Sequence, residues 1–166
     1  MWENMFREMR RSGQKLSEAE TRGILVSGTT GILAVQGDDG YPYGVPVNYT
    51  CRGDSIYIHS AQRGHKIDAV LRNARVGFTV IAEDEVVPAT FSTNYRSAIA
   101  FGSATMVNEA AEKRQALLDL LAKYSPQDPE AGIREIETDW DRVCIIKIRL
   151  EHMSGKAARA LVNPHS

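Results

Sequence analysis

The hydrophobic positions of this chain follow two periods, and the switches between them mark its elements. In SIYIHS (55–60), Ile56 and Ile58 alternate with Tyr57 and His59, the two-residue repeat of a strand. TGILAVQ (30–36), ARVGFTVIAE (74–83), RSAIAFGSATMVN (96–108) and RVCIIKIRLEHMSGK (142–156) are apolar and rich in β-branched residues, and also read as strands. Helical spacing governs KIDAVLRN (66–73), where Ile67, Val70 and Leu71 share one side. It is clearest in NEAAEKRQALLDLLAKYS (108–125), where Leu117, Leu118, Leu120 and Leu121 predict a buried stripe and Glu112, Lys113 and Arg114 face water.

Local signals punctuate these runs. Ser17 stands three residues before Glu20, the spacing of a reciprocal cap, and predicts a short helix from Glu18 to Leu25 that ends near Gly28. GDDGYPYG (37–44) supplies turn chemistry. VPVNYTCRGDSIYIHS (45–60) reads as a hairpin joined at Arg52, Gly53 and Asp54. A loop containing Pro88 separates two strands, and Pro126 and Pro129 end the long helix ahead of a short one around Gly132 to Ile136. The result is about six strands with helices after the third and fifth and one before the first. That order lacks the regular alternation of a doubly wound sheet and predicts a small mixed or antiparallel barrel with peripheral helices.

Composition narrows the class. The 166 residues, 43% hydrophobic, suffice for a single domain with a substantial core. Twenty basic against 21 acidic residues leave a net charge of −1, so no long-range field favours nucleic acid or an anionic membrane. Cys51 and Cys144 lack CxxC spacing and read as reduced thiols. Residues 1–20 lack the apolar run of a signal peptide and no segment is long enough to span a bilayer, so the expected location is cytoplasmic.

HSAQRGHK (59–66) is the densest chemistry in the chain. Ser60 offers a hydroxyl, Arg63 and Lys66 fixed positive charge, and His65 ring nitrogens, while Gly64 permits close backbone approach. A helix begins at once, with free amides and a dipole that attract negative charge. These are the ingredients of a phosphate cradle, although basic residues between a strand and a helix are equally common on a solvated surface.

PYGVPVNY (42–49), IYIHSAQRGHKIDAVLRNARVGFTV (56–80), TNYRSAIAFGSATMV (93–107) and IRLEHMSGKA (148–157) together resemble the pyridoxamine-5′-phosphate-oxidase-like flavoproteins, in the branch related to nitroimidazole-resistance reductases. The resemblance runs from about Leu16 to Lys156. It implies a mainly β, six-stranded split β-barrel of FMN-binding type with peripheral helices, covering 1–166 as one domain with a short N-terminal helical segment and a flexible C-terminal tail. It also implies a homodimer with FMN at the subunit interface. By that resemblance Ser60, Ala61, His65 and Lys66 contact the FMN phosphate, with His59 and Gly64 beside them. Val45, Pro46, Val47 and Asn48 run along the isoalloxazine edge, where hydrogen bonds tune the flavin. Tyr95, Arg96 and Ser97 approach from the partner subunit or close the cleft.

The sequence departs from the oxidase that acts on the phosphorylated vitamin, which needs a second basic constellation near its C-terminus. Here EHMSGKAARALVNPHS (151–166) offers Lys156 and Arg159 and reads as a frayed basic tail. The function implied is FMN-dependent reduction of a small electron-poor acceptor, nitroaromatics among them. No catalytic acid or base emerges from spacing, and His65 is the titratable group to test. A flavin-binding sensor or carrier without turnover, and a split barrel holding haem or a deazaflavin, are the alternatives.

Overall fold

The computed structural model describes residues 5–162. Helix α1 (Glu18–Ser27) forms behind the expected cap: the Ser17 hydroxyl accepts from the Glu20 amide at 3.2 Å, and the Glu20 carboxylate accepts from the Ser17 amide at 2.8 Å. Two halves satisfied reciprocally fix where the helix starts. β1 (Gly31–Gln36), β2 (Pro42–Val47), β3 (Thr50–Arg52) and β4 (Ser55–Ala61) lead to α2 (His65–Arg72). β5 (Arg75–Val87) and β6 (Ser92–Met106) precede α3 (Ala110–Tyr124) and α4 (Pro129–Thr138), and β7 (Val143–Ala157) leads to α5 (Arg159–Val162).

The seven strands of the described residues form one antiparallel sheet in the order β2, β1, β5, β6, β7, β4, β3. Six were expected. The extra strand arises because the first arm of the 45–60 segment breaks after Val47: β2 pairs with β1 and β3 pairs with β4. β2 and β3 are thus the two outer strands, yet only Asn48 and Tyr49 join them. So short a link spans about 10 Å at most, and a seven-stranded sheet whose edges lie that close has to be rolled into a barrel.

The rolled sheet encloses Leu33, Ile56, Ile58, Val80, Ala98 and Ile146, each fully buried. Ile56 and Ile58 therefore share the inner face, as the alternation predicts. On the outer side, Tyr57 and Ile145 are covered by Ala116, Leu117 and Leu120 of α3, whereas Leu118 and Leu121 are only half-buried. Glu112 and Lys113 are not free in water as expected. Glu112 accepts hydrogen bonds from Tyr57 Oη at 2.8 Å and Lys147 Nζ at 2.7 Å, and Lys113 sits 4.3 Å from the Trp140 ring centroid.

Three further expectations change. Leu71 is 68% exposed, because the buried arc of α2 runs from Ala69 through Val70 to Ile67 and Leu71 falls just beyond it. The stretch from Glu83 to Asn94 is not a loop: β5 and β6 continue as a paired hairpin as far as Val87 and Ser92, turning at Pro88–Thr90. The tail is held down as far as Val162, since Ala157 and Ala158 are buried and Leu161 and Val162 pack on the core. The rest of the tail, 163–166, lies outside the described residues. Among the described residues no helix is long and apolar enough to cross a membrane, no group of His, Cys, Asp and Glu has metal-site geometry, and both cysteines are free.

Candidate functional site

Ser60 is the next-to-last residue of β4, opposite Cys144 of β7, and is 5% exposed. Its Oγ is buried and has no hydrogen-bond partner among the described residues. A buried polar atom left unpaired costs about 1–3 kcal/mol, so a polar group brought to this hydroxyl would be stabilised by pairing with it. The chain leaves β4 through Ala61, Gln62 and Arg63, all exposed, and turns into α2 at Gly64.

Gly64 has φ 135°, a conformation reserved in practice for glycine, and a Cβ built there would meet open space. It is the N-cap of α2, and no side chain among the described residues caps that helix. The first-turn amides thus face an open approach, with the positive end of the helix dipole behind them. Lys66 follows, half-buried, and neither it nor Arg63 enters any ion pair formed among the described residues.

The charge of Lys66 is felt on both sides of Ser60. Partial burial of the ring lowers the pKa of His59, and Lys66 lowers it further. Burial pushes the Cys144 thiol up, with Lys113 and Lys66 pulling against that rise. An orphan hydroxyl, an uncapped helix start and an unpaired ammonium therefore meet at one strand-to-helix corner, and they fit a phosphate group.

His65 turns away from this corner. Its ring stacks on Tyr43 at 4.1 Å, and Nε2 lies 3.6 Å from Asp38 Oδ2, while the other oxygen of that carboxylate, Oδ1, accepts from Arg72 at 2.9 Å. Sequence reasoning missed Tyr43 and Asp38, because GDDGYPYG is fully accounted for as a turn. Val45, Pro46 and Val47 lie on β2, an outer strand whose far side has no partner in the sheet. Asn48 follows it and donates Nδ2 to the Thr29 carbonyl at 3.1 Å, leaving its side-chain oxygen as an acceptor.

Tyr95, Arg96 and Ser97 are far from Ser60 within one chain. Ser97 faces Lys156 near the end of β7, whereas Ser60 faces Cys144 near its start, about 40 Å of strand away. Lys156 Nζ lies 5.4 Å from the Tyr95 ring centroid, and Arg96 Nε is buried with no hydrogen bond among the described residues, 3.9 Å from Glu83. A cavity of about 580 Å³ between α1 and β7, lined by Ser17, Thr21, Asp54 and His152, touches none of the predicted cofactor residues.

Fold and corner together define a small antiparallel barrel with an anion-receptive turn between a strand and a helix. A family model described as pyridoxamine 5′-phosphate oxidase matches residues 17–157, and the chain belongs to that family. Solved structures share the fold. A candidate 5-nitroimidazole antibiotic resistance protein from Bacteroides thetaiotaomicron is 24% identical, with 86% of each chain covered and a TM-score of 0.70. A conserved hypothetical protein from Mycobacterium tuberculosis is 21% identical, with 96% of each chain covered and a TM-score of 0.80. An FAD- and haem-binding protein from Mycobacterium smegmatis is 20% identical, with 88% of this chain and 73% of that one covered and a TM-score of 0.72. A search of curated proteins finds none that matches.

Proposed function

We propose that this chain is an FMN-dependent oxidoreductase of small electron-poor organic molecules, nitroaromatics among them, and that it works as a homodimer with FMN at the subunit interface. The observation that carries the reading is the unpartnered Ser60 hydroxyl beside the uncapped start of α2 and the unpaired Lys66. Family membership and two neighbours support it: the Mycobacterium smegmatis protein binds FAD, and the Bacteroides protein is linked by its name to nitroimidazoles.

When bound, FMN supplies the hydride and electron exchange. The chain's residues hold and orient it. Ser60, the amides of His65 and Lys66, and the Lys66 ammonium take the phosphate. The unpaired edge of β2 at Val45–Val47, with the Asn48 side-chain oxygen, lies along the ring system. Tyr95, Arg96 and Ser97 complete the cleft from the second subunit, since the distance along β7 keeps them from their own chain's corner.

The surface that meets the second copy is the outer face of β1, β5 and β6. Ile32 and Ile99 flank Thr79 across the sheet there, and Ile81 and Phe101 lie on the same face. All four are between 37% and 57% exposed. An exposed apolar face of this kind supports an interaction surface, and on the homodimer reading both copies present it to one another.

The test is an absorption spectrum of protein purified without added cofactor, repeated after FMN addition and removal of the excess. Retained oxidised-flavin bands that bleach with NADH or NADPH and recover on adding a nitroaromatic are the expected result. Folded protein that retains no flavin overturns the reading, and a Soret band in its place assigns the barrel to haem.

A further inference from the structure

His65 opens α2, yet its ring does not enter the phosphate corner. It is held instead against the turn between β1 and β2. Asp39 and Gly40 both take the left-handed conformation there, with φ 55° and 79°, and the turn brings Asp38 and, from the start of β2, Tyr43 alongside the helix. The Tyr43 and His65 rings are 17° from parallel. Gly37 leaves the imidazole its space, since a Cβ built there would come within 3.4 Å of Nε2.

The same carboxylate reaches both ends of α2. Arg72 follows His65 by two helical turns, on the same face, and donates to Asp38 Oδ1 at 2.9 Å. Asn73 Nδ2 then donates to Gln36 Oε1 at 2.9 Å. Beyond Tyr43, β2 continues through Val45–Val47, the edge that lies along the ring system on the proposed reading. The cluster therefore joins the two halves of that site, the corner on α2 and the edge on β2.

Charge at the imidazole is contested. Asp38 is ionised wherever a histidine titrates, because the Arg72 hydrogen bond and then the nearby His65 hold its pKa below the ordinary 3.8. That carboxylate, the Tyr43 ring face and Asp68 in the first turn of α2 favour the imidazolium. Arg72, Arg63, Lys66 and the positive end of the helix oppose it, and His59 lies across the corner on β4, under the influence of the same Lys66. A phosphate dianion at the first turn changes this contest. It offsets the charges of Lys66, Arg63 and the helix end, and attracts the imidazolium itself.

We propose that His65 is a positioning residue, seating α2 against β2 through Tyr43 and Asp38, and that a phosphate monoester bound at the corner draws a proton from solvent onto its imidazole. Binding and protonation then promote one another. The phosphate is held more tightly as pH falls through the histidine range, and less tightly as it rises. This inference rests on the reading of the corner as a phosphate site, and adds to it a control by pH.

The test is the FMN affinity of the full chain and of H65Q, read by flavin fluorescence from pH 5.5 to pH 8 in low-salt buffer. The phosphate of FMN gains its second charge at about pH 6, but it does so for both proteins, so the ratio of their affinities isolates the imidazole. The parent's advantage over H65Q is expected to shrink roughly three- to ten-fold across that range. A ratio that does not change with pH leaves His65 a packing residue and overturns the coupling. D38N, which keeps the imidazole and removes its partner, is expected to move the step to lower pH, and an unmoved step overturns the clamp. One measurement needs no variant: the NMR signals of the His65 ring, followed from pH 5 to pH 8, are expected to complete their titration at higher pH with FMN than without it. The same or a lower range with FMN overturns the coupling even where H65Q fails to fold. A parent that binds no FMN at any pH sinks the flavin reading and this inference together, whereas FMN binding with a flat ratio sinks this inference alone.

Discussion

A hydroxyl that is buried and unpaired is a defect for stability and an opportunity for binding, and Ser60 separates the two roles experimentally. Replacing it with alanine removes an unsatisfied group without creating a void. S60A is therefore expected to raise the stability of the flavin-free protein by about 1 kcal/mol in urea unfolding while weakening FMN binding. A variant less stable than the parent and unchanged in FMN affinity would place the serine in an ordinary packing role. Lys66 gives the complementary result. K66A is expected to lose about 1.5–3 kcal/mol of FMN affinity with little change in stability, because the side chain is in no ion pair among the described residues. Both residues were legible in HSAQRGHK, where charge, glycine and a helix start coincide within eight positions. The orientation of His65 was not, because it is set by Tyr43 and Asp38, brought alongside by the pairing of β2 with β1 rather than by anything local.

Elements seat on one another through a few polar pins, and α3 has one at Glu112. Its carboxylate accepts from Tyr57 and Lys147 on the sheet, and the Lys147 and Tyr57 hydrogen bonds hold its pKa below the ordinary value of 4.5. A carboxylate whose folded pKa is depressed contributes stability that is fully present above the unfolded value and is lost as pH falls through the lower, folded one. E112Q is thus expected to be less stable than the parent by about 1 kcal/mol at pH 7, with the gap closing as pH drops below 4.5. A gap that stays constant from pH 7 to pH 3 would assign the effect to packing. Element starts were readable wherever the signal was local, as in the Ser17 and Glu20 cap. The split between β2 and β3 was not, because a single polar residue, Asn48, within an otherwise strand-like arm does not mark a break, and it is the choice of different strand partners that interrupts it. Leu71 fails for a similar reason: helical spacing gives an arc, but the neighbouring sheet decides where that arc is centred.

At the scale of the whole molecule, the proposed function links site and assembly. The phosphate corner and the 95–97 segment lie at opposite ends of β7 in one chain, so on the proposed reading neither subunit holds a complete cleft. On the same reading, the apolar outer face that carries the 41% exposed Ile99 is the surface that brings two chains together. Placing a charge there buries an unpaired carboxylate against the partner, which is among the costlier single changes at an interface. The parent protein is expected to sediment at twice the 18.4 kDa chain mass, and I99E to shift towards the single chain. Because Ile99 is 41% exposed and points away from the barrel interior, the variant keeps its fold and its near-native unfolding midpoint. Flavin binding then distinguishes two architectures. If Tyr95, Arg96 and Ser97 reach the cofactor only from the second subunit, folded I99E loses FMN in proportion to its dissociation, and raising its concentration restores both dimer and flavin together. A folded monomer that holds FMN as tightly as the parent would mean that Ser60, Lys66 and the β2 edge suffice within one chain, and would remove the 95–97 segment from the site.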